Sequence, residues 1–333
     1  MYRIDVGLDL GSSNIRVFVR DKGVVIDQPS VVAYERKTRK IVAVGIKARR
    51  MIGKTTEDIV VERPIRRGVI SNYTLTERMI KAFIKNALRK RKIWGRPNIC
   101  VAMPCNISQV EKKAVEDAVI RTGAKMVYTM DTPIAAALGA GIDILETQGH
   151  MIVDVGGGLT EIAVISSGGI SEVKTLKLGG DDFTDALIKY ARRNYNVLLG
   201  EVSAEDSKID GAAVYPQEED DTFEIKGKNM LTGLPVKIDL HANEMVDVFK
   251  EIAGQISDAV VSVLDVTQPE LVADITKEGI LLSGGGSNMP GLAKFMSERI
   301  GINVITSDEP ESFVAIGSGS ADEFLAIEGE MEK

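Results

Sequence analysis

A motif that occurs twice constrains the fold of this chain more than any other feature of its sequence. Residues 6–19 read VGLDLGSSNIRVFV, and residues 151–164 read MIVDVGGGLTEIAV. Each copy is an apolar strand with an Asp, then a turn of glycine or serine, then a second strand. A duplication of this kind predicts two related halves built on the same hairpin.

Strands and helices alternate through the rest of the sequence, which indicates the α/β class. A buried strand is expected at 99–103, and the capping-box spacing of Ser108 and Glu111 predicts the start of a helix. Further helical periodicity is found from about Thr76, over 182–194 and over 243–266, with a polar, acidic segment at 216–228. A length of 333 residues suggests about two domains.

Composition excludes several classes of protein. The chain is 44% hydrophobic and 27% charged, as is usual for a globular protein, and its net charge of −7 argues against nucleic acid as the main partner. No apolar run approaches the ~20 residues that span a bilayer. The first residues lack the apolar core of a secretory signal, so we expect a cytoplasmic protein.

Only two cysteines are present, Cys100 and Cys105, and both lie in or beside the apolar segment 99–105. A metal site is the alternative to buried reduced thiols. It would require a cluster of ligands that the sequence does not offer, because there is no second cysteine pair and the only histidines are His150 and His241. Buried thiols in a strand are therefore favoured.

Three glycine-rich loops suggest one phosphate site. Two follow Asp9 and Asp154 in the repeat, and the third is Ser283–Ser287. Glycine allows backbone N–H groups to approach an anion closely. A carboxylate beside a phosphate needs a cation between them, and Mg²⁺ held mostly through water suits this role. Any single loop could equally be a structural turn. None has the sequence of a Walker A or dinucleotide-binding motif.

At this level of detail the chain resembles the MreB family of bacterial actins, in the superfamily that also contains Hsp70 and the sugar kinases. The residues that carry the resemblance occur in order along the whole chain, at 9–14, 29–33, 43–45, 50–53, 63–70, 110–118, 133–141, 154–158, 283–286 and 314–319. The resemblance implies an actin-like ATPase fold of two duplicated α/β domains, each with a smaller subdomain, and a nucleotide in the cleft between them. Domain I would comprise 1–140 and 310–333, with its small subdomain at about 31–67. Domain II would comprise 141–309, with its small subdomain at about 182–242.

The resemblance also implies roles for individual residues. The β- and γ-phosphates would be held by Gly11, Ser12, Ser13, Asn14, Gly156, Gly157 and Gly158, and the Mg²⁺ shell by Asp9 and Asp154. Gly180 and Asp181 would approach the nucleotide, Glu205 and Lys208 would face the ribose and base, and Gly284, Gly285, Gly286 and Ser287 would close the adenosine side. Without the resemblance, Glu205 and Lys208 would be interpreted as a solvated helix face.

Two positions depart from the family pattern. The family usually has Glu-Glu before the Pro-x-Ala-Ala-Ala run and Thr after Gly-Gly-Gly, where both help to orient the attacking water. This chain has Asp131-Thr132 and Leu159. Phosphoryl transfer depends on positioning, so we expect ATP binding with slow hydrolysis. Asp131, through a second water, or Thr160 could take over the missing role.

A basic segment surrounds the only tryptophan. Residues 81–96 contain no acid, and several cations flank Ile93 and Trp94. A solvated helix end is one interpretation. An apolar tip within a basic ring also suits an anionic membrane, and members of the MreB family touch the membrane through a loop in this region. Nucleic-acid binding lacks the interleaved aromatic residues that would support it.

Together these features predict a filament-forming, ATP-binding bacterial actin with a role in cell shape or an allied mechanical role. Its expected partners are further copies of itself in paired protofilaments, the inner face of the membrane through Ile93 and Trp94, and other cytoskeletal or cell-shape proteins. One alternative is an ATP-binding scaffold without useful turnover. A small-molecule kinase of the same superfamily is the other, and it has no visible sugar-binding motif to support it.

Overall fold

The structure is a computed structural model that describes residues 3–89, 96–219 and 221–331. In chain order its strands are β1 Val6–Leu10, β2 Asn14–Val19, β3 Gly23–Pro29, β4 Val32–Glu35, β5 Ile41–Val44, β6 Ile59–Glu62, β7 Ile65–Arg66, β8 Val69–Ile70, β9 Asn98–Met103, β10 Met126–Asp131, β11 His150–Val155, β12 Thr160–Ser166, β13 Gly169–Leu176, β14 Val197–Leu199, β15 Thr222–Asn229, β16 Pro235–His241, β17 Ile280–Ser283 and β18 Val304–Ile305.

The helices are α1 Ile46–Arg49, α2 Tyr73–Arg89, α3 Gln109–Ile120, α4 Thr132–Gly139, α5 Gly180–Tyr195, α6 Glu201–Gly211, α7 Val246–Leu264, α8 Pro269–Glu278, α9 Leu292–Ile300, α10 Phe313–Gly319 and α11 Asp322–Met331. Short 3₁₀ turns lie at Ala242–Met245, Gly285–Asn288 and Pro310–Ser312.

Two five-stranded sheets share one topology. The first has the order β10-β9-β1-β2-β3, and the second has the order β13-β12-β11-β17-β18. In the first sheet β1, β2 and β3 are antiparallel neighbours, and β9 and β10 continue the sheet in parallel beyond β1. In the second sheet β11, β12 and β13 are antiparallel neighbours, and β17 and β18 continue the sheet in parallel beyond β11. The duplication predicted from the repeated motif is therefore present in the topology of the chain.

A smaller sheet accompanies each half. The sheet β5-β4-β6 falls within the small subdomain predicted at 31–67, and the sheet β14-β15-β16 falls within that predicted at 182–242. Strand β15 begins inside the acidic segment 216–228, because alternate residues Phe223 and Ile225 are buried while their neighbours are polar. The precise ends of the domains and subdomains stay a prediction.

The predicted helices are present with shifted ends. Helix α2 begins at Tyr73, before the expected Thr76, and Asn72 Oδ1 accepts a hydrogen bond from the Leu75 N–H at 3.2 Å. The capping box is confirmed, since Ser108 Oγ accepts from the Glu111 N–H at 3.3 Å and Glu111 Oε2 accepts from the Ser108 N–H at 3.1 Å. The long helix expected over 243–266 is a 3₁₀ turn followed by α7.

One hydrophobic cluster joins the two halves beneath the cleft. It contains Cys100 and Ala102 of β9, Ile152 of β11 and Ala163 of β12, with helices α4 and α10 packed against them. The two helices cross closely at Gly139 and Gly317. A Cβ on Gly139 would lie 1.9 Å from the Phe313 carbonyl oxygen, and one on Gly317 would lie 1.8 Å from the Ala135 carbonyl oxygen. Because this core is shared, it sets the relative position of the two hairpins. Cys100 is a buried thiol as expected, whereas Cys105 follows β9 and is half-buried.

Candidate functional site

A cavity of about 410 Å³ lies where the two repeated hairpins face each other. Most of the residues selected from the sequence line it: Asp9, Gly11, Ser12, Ser13, Asn14, Thr132, Asp154, Gly156, Gly157, Gly158, Leu159, Gly180, Asp181, Glu205, Lys208, Gly284, Gly285 and Gly286. Segments from six places in the sequence thus converge on one site, and the three glycine-rich loops are among them.

The first two glycine loops touch each other across the cavity. A Cβ on Gly157 would lie 1.8 Å from Ser13 Oγ, so only glycine fits at this position. The first loop is also fixed from outside, since Ser30 Oγ donates to the Gly11 carbonyl at 2.6 Å and Ser12 Oγ accepts from the Gly68 N–H at 2.9 Å. The Ser12 hydroxyl proton is left to point elsewhere, towards an acceptor such as a phosphate oxygen.

Asp9 and Asp154 place two carboxylates against this cavity. Burial raises the pKa of Asp9 to about 7 although Arg16 lowers it, and burial likewise raises the pKa of Asp154. Within the described residues, Asp154 Oδ1 is a buried acceptor that receives no hydrogen bond. The Asp154 charge also raises the pKa of Asp9, so the two carboxylates lie near each other. An unsatisfied carboxylate oxygen close to a second carboxylate fits a divalent cation, which would satisfy the acceptor and offset the negative charge.

No group of three or more His, Cys, Asp or Glu side chains suited to a metal occurs in the described part of the chain. Two carboxylates alone suit an ion that keeps most of its ligands as water or phosphate oxygen, which is the usual behaviour of Mg²⁺. The donor set therefore agrees with the sequence prediction of Mg²⁺ held mostly through water.

The segment around Gly180 is hydrogen-bonded to the second loop. The Gly180 N–H donates to the Gly156 carbonyl at 3.0 Å, and the Asp181 N–H donates to the Gly157 carbonyl at 2.7 Å. Lys208 also hydrogen-bonds this segment. Its buried ammonium donates to the Gly180 carbonyl at 2.9 Å, to Thr184 Oγ1 at 3.1 Å and to Glu205 Oε2 at 2.7 Å. All three donors of Lys208 are used within the protein.

The third loop reaches the cavity through its backbone. Gly284 has φ +82°, and a Cβ there would lie 2.5 Å from the Val155 carbonyl oxygen, so this position requires glycine. Ser287 does not line the cavity; its hydroxyl donates to the Gly284 carbonyl at 2.5 Å and holds the turn. Residues that the sequence did not single out continue the wall here: Asn288, Met289, Pro290 and, from α6, Ile209.

The two departures from the family pattern lie on the cavity wall, but the two proposed substitutes do not. Thr132 and Leu159 line the cavity, whereas Asp131 and Thr160 are not among the lining residues. Side chains alternate along a strand, and Thr160 faces away, with its buried hydroxyl donating to the Leu178 carbonyl at 2.8 Å. In this structure Thr160 is therefore committed to the backbone.

The lining residues that were missed from the sequence include one charged residue on each repeated hairpin, Arg16 and Glu161. Arg16 lies opposite Asp9 in the first hairpin, and Glu161 lies opposite Asp154 in the second. Burial raises the pKa of Glu161 to about 7, against the lowering effect of its hydrogen bond from Cys105. The signal was present in the repeat, since each residue follows its Asp at the same offset and opposed residues of a hairpin share a face.

The model of the MreB/Mbl protein family matches residues 3–328. The chain belongs to the MreB/Mbl family. It is 40% identical over 319 residues to the cell shape-determining protein Mbl of Bacillus subtilis, covering 96% of each chain. It is 36% identical to the cell shape-determining protein MreB of Escherichia coli over 333 residues, which are 99% of this chain and 96% of that one.

Solved structures of the family agree with the fold. MreB5 of Spiroplasma citri bound to ADP superposes with a TM-score of 0.91 at 30% identity, covering 98% of both chains. The same protein bound to AMPPNP gives a TM-score of 0.90. A MamK double helical filament, at 21% identity and a TM-score of 0.77, shares the fold. The actin-like architecture expected from the sequence is confirmed.

In this MreB/Mbl chain, arginines of the first half pair with acids of the second across the mouth of the cleft. Arg63 contacts Asp181 at 3.2 Å and Glu201 at 2.8 Å. Two further pairs are Arg67 with Asp182 at 3.0 Å and Arg49 with Asp206 at 2.7 Å. These pairs join residues more than a hundred positions apart, and the sequence carries no local signal for them.

The proposed membrane-contacting residues Ile93 and Trp94 lie outside the described residues. The helix that precedes them is described, and Lys81, Lys85 and Arg89 are exposed at four-residue intervals along it. Residues at this spacing share one face of a helix. Within the described ranges, no helix has both the length and the apolar character needed to cross a bilayer.

Proposed function

We propose that this chain is a filament-forming bacterial actin that binds Mg-ATP between its two Asp-Gly loops and hydrolyses it slowly. The single observation that carries the proposal is the contact between Gly157 and Ser13 beside two carboxylates, one of which has an unsatisfied oxygen. Backbone N–H groups from both loops then face one anion, and a cation balances Asp9 and Asp154. Relatives bound to ADP and AMPPNP support the choice of an adenine nucleotide.

The two ends of the cavity differ in character, and this suggests how the nucleotide lies. Met289, Pro290 and Ile209 offer apolar surface near α6, which suits a base and ribose. Glu205 also lies on this side, where its carboxylate is held by Lys208. The glycine loops suit the phosphates. When bound, Mg²⁺ would neutralise phosphate charge, with Asp9 and Asp154 holding its water ligands.

Thr132 and Leu159 are the basis for proposing slow turnover. Both side chains reach the cavity. Thr132 has no carboxylate where the family pattern has Glu, and Leu159 has no hydroxyl where the pattern has Thr. Loss of a water-orienting group reduces rate more than binding. Nucleotide binding would then govern assembly, and hydrolysis would act as a slow release step.

Filaments of this chain would be built from copies of itself, and we propose a role in cell shape in the cytoplasm, against the membrane. The names of the Mbl and MreB relatives and the MamK filament support this role. Membrane contact would run through the basic segment, where exposed Lys85 and Arg89 lead towards Ile93 and Trp94.

The binding site is tested with Asp154→Ala in a titration against a fluorescent ATP analogue with Mg²⁺. We expect tight binding to be lost, because the cation would lose one of its two carboxylates. Asp265→Ala removes an exposed carboxylate at the end of α7 and serves as the control that binds normally. Unchanged binding by Asp154→Ala would refute the site.

A further inference from the structure

The two copies of the repeat differ in charge at one position that faces the cavity. In the first hairpin Arg16 is paired with Asp9, and its Nη1 lies 3.7 Å from Asp9 Oδ2. In the second hairpin the residue opposite Asp154 is Glu161. The second half therefore adds a carboxylate where the first half adds a cation. A carboxylate at a site for a polyanion opposes binding, so its presence suggests a role other than phosphate binding.

Glu161 is held firmly in place. Only 2% of its surface is exposed, and its Oε1 accepts a hydrogen bond from the Cys105 N–H at 2.8 Å. The Cys105 side chain also hydrogen-bonds this carboxylate, so two contacts with Cys105 fix its orientation. Glu161 is nonetheless one of the residues that line the cavity.

The neighbourhood of Glu161 is the wall that lacks the family's water-orienting groups. Leu159 lies two residues before Glu161. Gly68 and Pro104 pack beside Leu159: a Cβ on Gly68 would lie 2.9 Å from Leu159 Cδ2 and 3.5 Å from Pro104 Cγ. Thr132 lines the same cavity. Thr160 is committed to the Leu178 carbonyl, and Asp131 does not line the cavity. Glu161 is thus the carboxylate on this wall that meets the cavity.

We propose that Glu161 orients the water that attacks the γ-phosphate, in place of the groups absent at positions 132 and 159. This inference rests on the proposed binding of ATP in this cavity. The Glu161 carboxylate accepts a hydrogen bond from the water. This contact directs a lone pair of the water oxygen at the γ-phosphorus. The water oxygen bonds to the γ-phosphorus as the bond to the bridging oxygen breaks. ADP and phosphate form, one water proton stays on the phosphate and the other passes to solvent.

The test is single-turnover phosphate release by Glu161→Gln, measured beside the affinity for Mg-ATP and the Mg²⁺ concentration that binding requires. Glutamine keeps an oxygen for the Cys105 N–H but accepts from water more weakly, so release should slow by about 10²-fold with unchanged affinity. Glu172→Gln makes the same change on β13, outside the cavity, and should release phosphate normally. Glu161→Asp, which keeps the charge and shortens the reach, replaces Glu161→Gln if that variant does not fold.

A purely structural role is separated from water orientation by rescue. Thr132→Glu with Leu159→Thr supplies other orienting groups, so adding Glu161→Gln to that pair should slow release much less than it slows the parent chain. Equal slowing in both backgrounds overturns the proposal, and so does a normal rate in Glu161→Gln. Loss of Mg-ATP affinity in Glu161→Gln would also overturn it, because the residue would then serve binding. If the parent chain binds ATP but releases no phosphate, this inference fails and the proposed site stands; if it does not bind ATP, the proposed function itself fails.

Discussion

Arg63 Nη2 lies 2.8 Å from Glu201 Oε1, which ties the end of β6 in the first half to the start of α6 in the second. The same guanidinium contacts Asp181, a residue of the cavity wall, at 3.2 Å. Because these ion pairs join the two halves beside the cavity, we infer that they form a closure that slows the exit of a bound nucleotide.

Removing this closure is the first prediction. Each partly exposed pair contributes roughly 0.2–1 kcal/mol and Arg63 makes two of them, so Arg63→Ala should release a bound nucleotide about two- to thirtyfold faster. Stopped-flow displacement of a fluorescent ATP analogue measures the rate. Arg299→Ala removes a pair with Asp258 inside the second half and should leave release unchanged. Salt should speed release from the parent chain more than from Arg63→Ala, since screening weakens these pairs; equal salt effects would argue against the closure.

The second prediction concerns turnover. Thr132→Glu and Leu159→Thr restore groups that the chain lacks, and both positions reach the cavity. The loss of one orienting group typically costs about 10²–10³ in rate, so the double variant should release phosphate much faster than the parent, with similar ATP affinity. The combined gain should exceed the product of the single gains, because both groups act on one water. A parent chain that already hydrolyses ATP as fast as its relatives would contradict this account.

The third prediction concerns the basic segment after α2. Replacing Ile93 and Trp94 with Ser should weaken sedimentation with anionic vesicles and leave nucleotide binding unchanged. Each Lys or Arg near an anionic surface contributes about 1 kcal/mol, so weak binding should persist in this variant through the cations at positions 85, 89–92 and 96. The same preparations with neutral vesicles provide the control. Equal binding to anionic vesicles by the parent and the double variant would exclude insertion of the apolar tip.

The fold could be predicted from the sequence because its signals are local. Gly11 and Gly157 belong to turns that follow apolar strands, and the repeat reveals that two such turns form a pair. The position of Thr160 could also have been predicted: Thr160 and Glu161 are neighbours on β12, so they face opposite sides, and Glu161 is the one that lines the cavity. Ser287 does not line the cavity for a different reason, since its hydroxyl closes its own turn.

Other features depend on contacts that no local pattern encodes. Lys208 appears in the sequence as one charged residue on a polar helix, and its burial results from packing of α6 on α5. The pairs of Arg49, Arg63 and Arg67 require the two halves to close on each other, which depends on the shared core beneath the cleft. Glu161 lies between these cases, because the offset in the repeat gives its face but its hydrogen bond from Cys105 is tertiary.

Nucleotide-dependent assembly tests the central claim most directly. The protein is centrifuged at high speed with Mg-ATP, with Mg and a non-hydrolysable analogue, and without nucleotide, beside Asp154→Ala under the same conditions. We predict that the parent chain pellets as filaments, visible by negative-stain electron microscopy, with either nucleotide, and that Asp154→Ala stays in the supernatant. A parent chain that remains monomeric at concentrations well above those of a cytoplasmic protein, while binding Mg-ATP, would contradict the cytoskeletal function proposed for it.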